Sequence, residues 1–354
     1  MAGALDVLGL IVENRALNIG FVGLGFGAHI AETLMAAPQY FKVRAVCDAD
    51  AAKAAQFADK HGLLVHGSLD AMLADPDLPA IALFTGPVGR AELLRKIIRA
   101  GKDVITTKPF ELDSRAARVV LEEAESLGRV IHVNSPGAEV PEYLRKIQSW
   151  REQYDLGQPV GCRGEMLVSY REQADGRWLD DPQQVPVAPV FRIGIYVLSD
   201  LIRLFGRVEK LQTLSSRLFT GRPTDDNGQL NLLFENGAIG SVYASFGVDN
   251  GQHYAGSLIL HYERGTIHRN IQPVEYGHAE ETSRLKLIAT TADHQVITAE
   301  HQTAEAAGSY QWEAFHAAIT KSRPVTTPVD IIVHGVEILA AMKRAALSGA
   351  TETL

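Results

Sequence analysis

The chain has 354 residues, 46% hydrophobic and 21% charged, with 34 Lys and Arg against 42 Asp and Glu for a net charge of −8. That is the balance of a globular protein with room for two domains, and the acidic sign argues against nucleic acid as a partner. The two cysteines are Cys47 and Cys162, the first inside a predicted strand. A disulfide framework is therefore not expected, and a reducing, cytoplasmic setting fits. No apolar run reaches membrane-spanning length. The apolar segment 4–12 contains Asp6 and has no basic segment before it, so it is a poor signal peptide. It reads as an N-terminal arm (residues 1–17) packed on the domain or on a partner subunit.

Residues 19–22 form a predicted strand, and Gly23-x-Gly25-x-x-Ala28 leads into a predicted helix over 30–35. Strand, glycine turn and helix make a phosphate site, because backbone can approach a pyrophosphate and the helix N-terminus offers N–H groups. Gly23 is assigned the tight turn, Gly25 the room for phosphates, and Ala28 the small place for helix–strand packing. Phe26 and Gly27 complete the turn. The fingerprint also needs an acid about 20 residues on, at the end of the next strand. Residues 42–47 read as that strand, and Asp48 follows it. Asp48 is placed to accept from the adenosine ribose hydroxyls. It would repel a 2′-phosphate, and no Lys or Arg lies in 48–50, so NAD is favoured over NADP. The competing reading is an ordinary βαβ unit whose Asp48 caps the next helix.

Alternation then continues. Helices are predicted over 49–61, 68–74, 91–100 and 114–127, with strands at Val65 and over 81–84, 103–106 and 130–133. This implies a parallel sheet with helices on both faces. Two strand ends carry candidate cofactor residues, Thr85 and Pro87 after one and Lys108 and Pro109 after the other. The pattern changes near Asn134. A helix over 142–154 is followed by strands over 161–170, 209–219, 228–234, 238–246, 257–262 and 285–290, with Asn236-Gly237 as a hairpin turn. Strands without intervening helices imply a mostly antiparallel sheet. Helices are predicted over 194–205, 310–321 and 328–347.

The order of these pieces resembles the GFO/IDH/MocA oxidoreductases. Gly23 to Ala28 with Asp48 matches that family's cofactor turn and acid. Residues 100–109, ending Thr107-Lys108-Pro109, resemble its Ala-Gly-Lys…Glu-Lys-Pro segment. Leu156-Gly-Gln-Pro-Val-Gly161 resembles the lead-in to its second sheet, and Phe191-Arg-Ile-Gly-Ile-Tyr196 with Asp200 resembles its Asp-x-Gly-x-His/Tyr segment. Trp312-Glu-Ala-Phe315 and the helix after Pro328 resemble its closing helices. The likeness is nearest to the Lys/Tyr subgroup that includes glucose–fructose oxidoreductase and dihydrodiol dehydrogenase. It implies an α/β Rossmann domain over 1–135, then an α+β domain over 136–354 with a large, open, mostly antiparallel sheet that binds substrate and oligomerises. Two departures stand out: Thr107 replaces the Glu before Lys-Pro, and Arg192 takes the Asp place.

The resemblance makes Lys108 and Tyr196 the proton-handling pair in hydride transfer at a carbinol. An ammonium beside a phenol favours phenolate, so Tyr196 is expected to have a lowered pKa. Asp200, one helical turn after Tyr196, is expected to bind substrate or to hold Lys108. Arg192 offers a planar cation suited to a carboxylate, which suggests an anionic substrate such as a sugar acid. Its alternative is a surface ion pair with Asp180 or Asp181. His29 is expected to cap or pack. His253, His261, His268 and His278 show no metal-ligand spacing, so no metal is expected. The implied protein is an NAD-dependent dehydrogenase of a sugar, sugar acid, cyclitol or related small molecule, working as a homodimer or homotetramer. The alternative is a regulatory protein of the same fold that senses a dinucleotide or sugar without catalysis.

Overall fold

The computed structural model describes residues 16–249, 254–271, 282–291, 293–304 and 309–354. The N-terminal arm up to residue 15, His253 and His278 lie outside them. Two compact units divide at Phe84 and Thr85.

The first unit contains β1 (Leu17–Val22), α1 (Phe26–Ala36), β2 (Phe41–Cys47), α2 (Ala51–His61), β3 (Leu64–Val65), α3 (Leu69–Leu73) and β4 (Ala80–Leu83). The strands run parallel in the order β3-β2-β1-β4. Ile19 and Phe21 of β1, and all of β4, are fully buried, as expected for strands covered on both faces. The helix ends follow local chemistry. Asp50 and Ser68 accept from the Lys53 and Ala71 backbone N–H groups at the starts of α2 and α3, and Gly62 closes α2 in a left-handed conformation.

The second unit opens with α4 (Arg90–Arg99), β5 (Asp103–Thr106), α5 (Ser114–Ser126) and β6 (Ile131–Val133), with β5 and β6 parallel. Then come α6 (Glu142–Gln153), β7 (Pro159–Leu167), a π-helical turn Val190–Gly194, α7 (Ile195–Phe205), β8 (Val208–Ser216), β9 (Asn227–Phe234), β10 (Ile239–Ser245), β11 (Ala255–Tyr262), β12 (Gly265–Arg269), β13 (Ser283–Thr290), β14 (Val296–Thr303), α8 (Trp312–Thr320), α9 (Val329–Ser348) and β15 (Glu352–Thr353). Nine of these strands form one sheet, in the order β14-β13-β12-β11-β7-β10-β9-β8-β15. Every pairing is antiparallel except β7 with β10. The core lies under one face, where Val197, Leu198 and Leu201 of α7 meet Ile338, Leu339 and Met342 of α9 among inward strand residues such as Leu230, Val242 and Leu258. Strict alternation of buried and exposed residues along β13 is the signature of a sheet covered on one side.

Three strands escaped the sequence reading. β14 carries Thr298, Glu300 and Gln302 with little buried apolar surface, because it is an edge strand. β12 and β15 are only five and two residues long. The predicted helix from residue 194 is also preceded by a π-turn. Its hydrogen-bond step is one residue longer than an α-helix's, and such turns recur at functional sites. Arg192 lies in it.

Candidate active site

Two centres carry the expected chemistry, and each is contained within one unit. In the first, Gly23 has φ +88°, a conformation that L side chains rarely adopt, and its N–H donates to the Cys47 carbonyl at 2.9 Å. A Cβ built on Gly25 meets nothing within 4 Å. Gly25 is also the residue before α1, whose start has no side-chain cap, so no capping side chain takes the first-turn N–H groups that a helix leaves without intrahelical partners. Open backbone, a helix N-terminus and an acid in one place fit a dinucleotide pyrophosphate and ribose. Asp48 sits against the turn, accepting from the Leu24 N–H at 2.5 Å and the Asp50 N–H at 2.9 Å. The Lys53 ammonium lies 4.0 Å from it. The tight packing place is not Ala28. A Cβ on Gly27 would lie 2.9 Å from Phe84 Cβ, and Gly27 is buried where Ala28 is only partly so. The exposed ring of Phe26 lies 6.1 Å from His29.

The second centre is built around Lys108. Its backbone N–H donates to Asn134 Oδ1 at 3.0 Å, and its ammonium donates to the Arg192 carbonyl. The same ammonium stands 4.4 Å from the centre of the Tyr196 ring. Burial, reinforced by the positive charges of Arg192 and Arg90, pulls Lys108 down to about 7. Lys108 and Pro109 are joined by a cis peptide bond. The Thr107 hydroxyl accepts from Tyr310 at 3.2 Å. Thr85 Oγ1 is buried and has no hydrogen-bond partner among the described residues, and the Pro87 carbonyl accepts from the Arg90 N–H at 3.3 Å.

Three expectations need correction here. Tyr196 is not a lowered phenol. Burial first, then the neighbouring Tyr310, Tyr254 and Tyr170, push it well above the usual range, opposed by a 3.5 Å bond from Asn134. Lys108 lies over the ring face, where it meets the π-system rather than the oxygen. Asp200 does not hold Lys108. It accepts from Tyr143 at 2.8 Å, and burial raises it to about 6 against the opposing pull of Arg269, Tyr143 and Arg203. Arg192 does not offer a free planar cation, nor does it pair with Asp180 or Asp181. Glu172 takes it in a bidentate bond at 2.6 and 2.9 Å, and its guanidinium lies 4.6 Å from Phe246 and 5.4 Å from Tyr170. Glu172 also accepts from Arg222 at 3.0 Å. Burial would raise Glu172, yet the two arginines hold it below the usual carboxylate range.

The structure thus brings Lys108, Tyr196 and Arg192 together and sends Asp200 elsewhere. Asn134, Arg90 and Glu172 went unnoticed as site residues. Asn134 had a signal, since it ends the last strand of the alternating half. Glu172 had none, because it meets Arg192 only through the fold.

Comparison with known proteins agrees with this architecture. Residues 17–135 match the model described as "Oxidoreductase family, NAD-binding Rossmann fold", and residues 144–268 match the GFO/IDH/MocA C-terminal domain. Inositol 2-dehydrogenase 2 of Saccharopolyspora erythraea is 33% identical over 32% of this chain and 34% of its own length. Trans-1,2-dihydrobenzene-1,2-diol dehydrogenase of Bos taurus is 26% identical over 65% of this chain and 68% of its own. The first three curated relatives are covered over 34% to 61% of their lengths. A levoglucosan dehydrogenase solved with NADH and L-sorbose superposes with a TM-score of 0.74, covering 96% of this chain and 99% of its own, at 18% identity. That likeness speaks for the fold. With both of its characteristic domains matched in order, the chain belongs to the GFO/IDH/MocA oxidoreductase family.

Proposed function

We propose that the protein is an NAD-dependent oxidoreductase that interconverts a carbinol and a ketone on a sugar, cyclitol or related polar compound. The observation that carries this is an enclosed lysine, Lys108, held near neutrality against the face of Tyr196. An amine with a value near 7 exists in both protonation states at physiological pH, which is what general acid–base catalysis needs. When bound, the nicotinamide would supply or accept the hydride. In oxidation, neutral Lys108 Nζ takes the hydroxyl proton as the carbinol C–H bond gives up its hydride and the carbonyl forms. In reduction, the ammonium returns that proton. Tyr196, protonated throughout, donates a hydrogen bond that orients the substrate oxygen. Gly23, Gly25 and the α1 N-terminus would hold the pyrophosphate, and Asp48 would take the ribose hydroxyls.

Asp48 supports NAD over NADP, since Lys53 at 4.0 Å makes only a long contact to it. Glu172 neutralises Arg192, which supports a neutral polyol over a sugar acid. We place the domain boundary at 135/136, supported by family segments ending at 135 and resuming at 144. The free, buried Cys47 and Cys162 support a reducing, cytoplasmic setting. The outer face of the large sheet exposes Leu214, Ile239 and Val296 at 74%, 67% and 71%, which supports pairing of two sheets as a homodimer or homotetramer.

The test titrates NAD and NADP by protein fluorescence, then follows nicotinamide reduction over a panel of polyols and cyclitols. Tighter NAD binding and turnover of at least one neutral polyol are expected. Preference for NADP refutes the cofactor assignment. NAD binding without turnover on any neutral or acidic compound refutes the catalytic one.

A further inference from the structure

The strongest feature that the proposed reaction does not use is Arg90, the first residue of α4. It is 1% exposed. Its guanidinium donates to four main-chain carbonyls: Thr107 at 2.6 Å, Phe110 at 3.2 Å, and Thr85 and Pro109. The accepting groups come from two segments, the loop after β4 and the strand end that carries Lys108. Among the described residues no carboxylate forms an ion pair with it. The acid next along the chain from these acceptors, Glu111, has its oxygens taken by the Ala91 N–H at 2.7 Å and the Leu112 N–H at 2.8 Å.

A buried cation is costly unless its charge is used or compensated. Carbonyl oxygens take N–H groups of both terminal nitrogens, while Nε is buried without a hydrogen-bond partner among the described residues, and Glu111 acts on the cation only through space. We propose that Arg90 is a positioning residue for Lys108, clamping the Thr85 loop to the Thr107–Phe110 segment and placing a positive charge within electrostatic range of the amine.

The clamp fixes the backbone on both sides of Lys108, since the Thr107 and Pro109 carbonyls flank it. The charge disfavours a second cation and keeps the amine available as a base. Burial lowers Arg90 itself to about 10, with Glu111 and Tyr310 opposing, which fits an arginine lacking a direct counter-ion. The charged and titratable groups around Lys108 are Arg192, paired with Glu172, Arg90, and the phenols of Tyr196 and Tyr310. Of the two arginines, Arg192 is bonded directly to a carboxylate, whereas Arg90 feels that of Glu111 only through space.

This inference rests on Lys108 being the proton-handling group, and the test separates the two. Competitive acetylation of the native protein with acetic anhydride, read on the Lys108 peptide by mass spectrometry across pH 5–11, gives the midpoint of that amine without a substrate. The wild-type midpoint is expected at about 7. Arg90→Gln removes the charge and should raise it by roughly half a unit or more. Arg90→Lys keeps the charge but loses the planar geometry, so the midpoint should stay while hydrogen exchange of 85–90 and 107–110 speeds up. A wild-type midpoint near the ordinary lysine value sinks the reading of Lys108 and this inference together. A wild-type midpoint near 7 that does not move in folded Arg90→Gln overturns the role of Arg90 alone. Should Arg90→Gln not fold, the Lys variant decides: an unchanged midpoint with faster exchange supports the clamp, and a rise toward the ordinary value overturns it.

Discussion

The glycine turn of the first unit and the lysine centre of the second solve opposite problems. The turn works by leaving things out. Gly25 presents bare backbone to open space, Gly23 takes a conformation that other residues rarely adopt, and Asp48 is the charged side chain bonded to the turn. The lysine centre works by crowding. Lys108 is enclosed by Tyr196, Arg192 and Asn134, with Arg90 behind the strand end, and its chemistry comes from how unfavourable its charge is there. A site that binds a phosphate needs access, and a site that moves a proton needs a distorted pKa. The contrast predicts that substitutions at the turn act on binding or packing, while those at the lysine centre act on rate and pH.

The largest effect is expected from Lys108→Met. It should lower kcat/KM by roughly 10²–10⁴-fold, the usual worth of a general acid–base group, with NAD affinity little changed. Lys108→Arg should lose as much in the oxidative direction, because a guanidinium does not deprotonate. In the wild type, oxidation needs the neutral amine, so its rate should rise with pH through about 7. Reduction should fall through the same value. Stopped-flow rates across pH 5–9 check both limbs, and a flat oxidative profile would remove Lys108 from the mechanism.

A smaller effect separates Asp200 from the chemistry. Its folded value of about 6 lies above its ordinary 3.8. Between those two values the folded state binds more protons than the unfolded state, so stability is present at low pH and lost as pH rises from about 4 to 6. The loss is on the order of 3 kcal/mol. Asp200→Asn keeps an acceptor for Tyr143 and removes the titration. Its urea stability relative to wild type should therefore change across that window, with kcat little altered. A large fall in kcat with no such pH dependence would return Asp200 to the site.

The difference between the two centres also explains what could be read from the sequence. Gly23, Gly25 and Asp48 lie within 26 residues, and their spacing alone matches the dinucleotide-binding fingerprint. The alternating first half and the antiparallel second half were legible from periodicity. The lysine centre draws on Arg90, Thr107, Lys108, Asn134, Arg192, Tyr196 and Tyr310, and no local pattern says which of these meet. Tyr196 and Arg192 were found through the family segment, but their states were misjudged. Sequence does not show that Lys108 would approach the ring face rather than the hydroxyl, or that Glu172 would reach Arg192 across 20 residues. Burial, which sets the sign of both the Tyr196 and Asp200 shifts, is a property of the packed chain.

The smallest effects come from two glycines two residues apart, and they probe the turn most finely. A Cβ at Gly27 would meet Phe84 Cβ at 2.9 Å and its ring at 3.3 Å. Cβ is the least movable atom of that side chain, so the helix or the strand end must shift. Gly27→Ala should cost about 1–2 kcal/mol of stability, seen as a lower urea midpoint. At Gly25 the same methyl meets nothing within 4 Å, and φ is −64°, on the side open to L residues, although ψ of −100° lies outside the helical region and adds a modest backbone cost. Gly25→Ala should thus leave the urea midpoint within about 1 kcal/mol of wild type. Its methyl instead enters the space through which the α1 N–H groups face a pyrophosphate. NAD affinity should fall by roughly tenfold, about 1.4 kcal/mol. Fluorescence titration and urea melts on both variants test the pair. If Gly25→Ala binds NAD as wild type does, the open face of the turn is not where the phosphates lie. If Gly27→Ala is as stable as wild type, the tight helix–strand contact is not at Gly27.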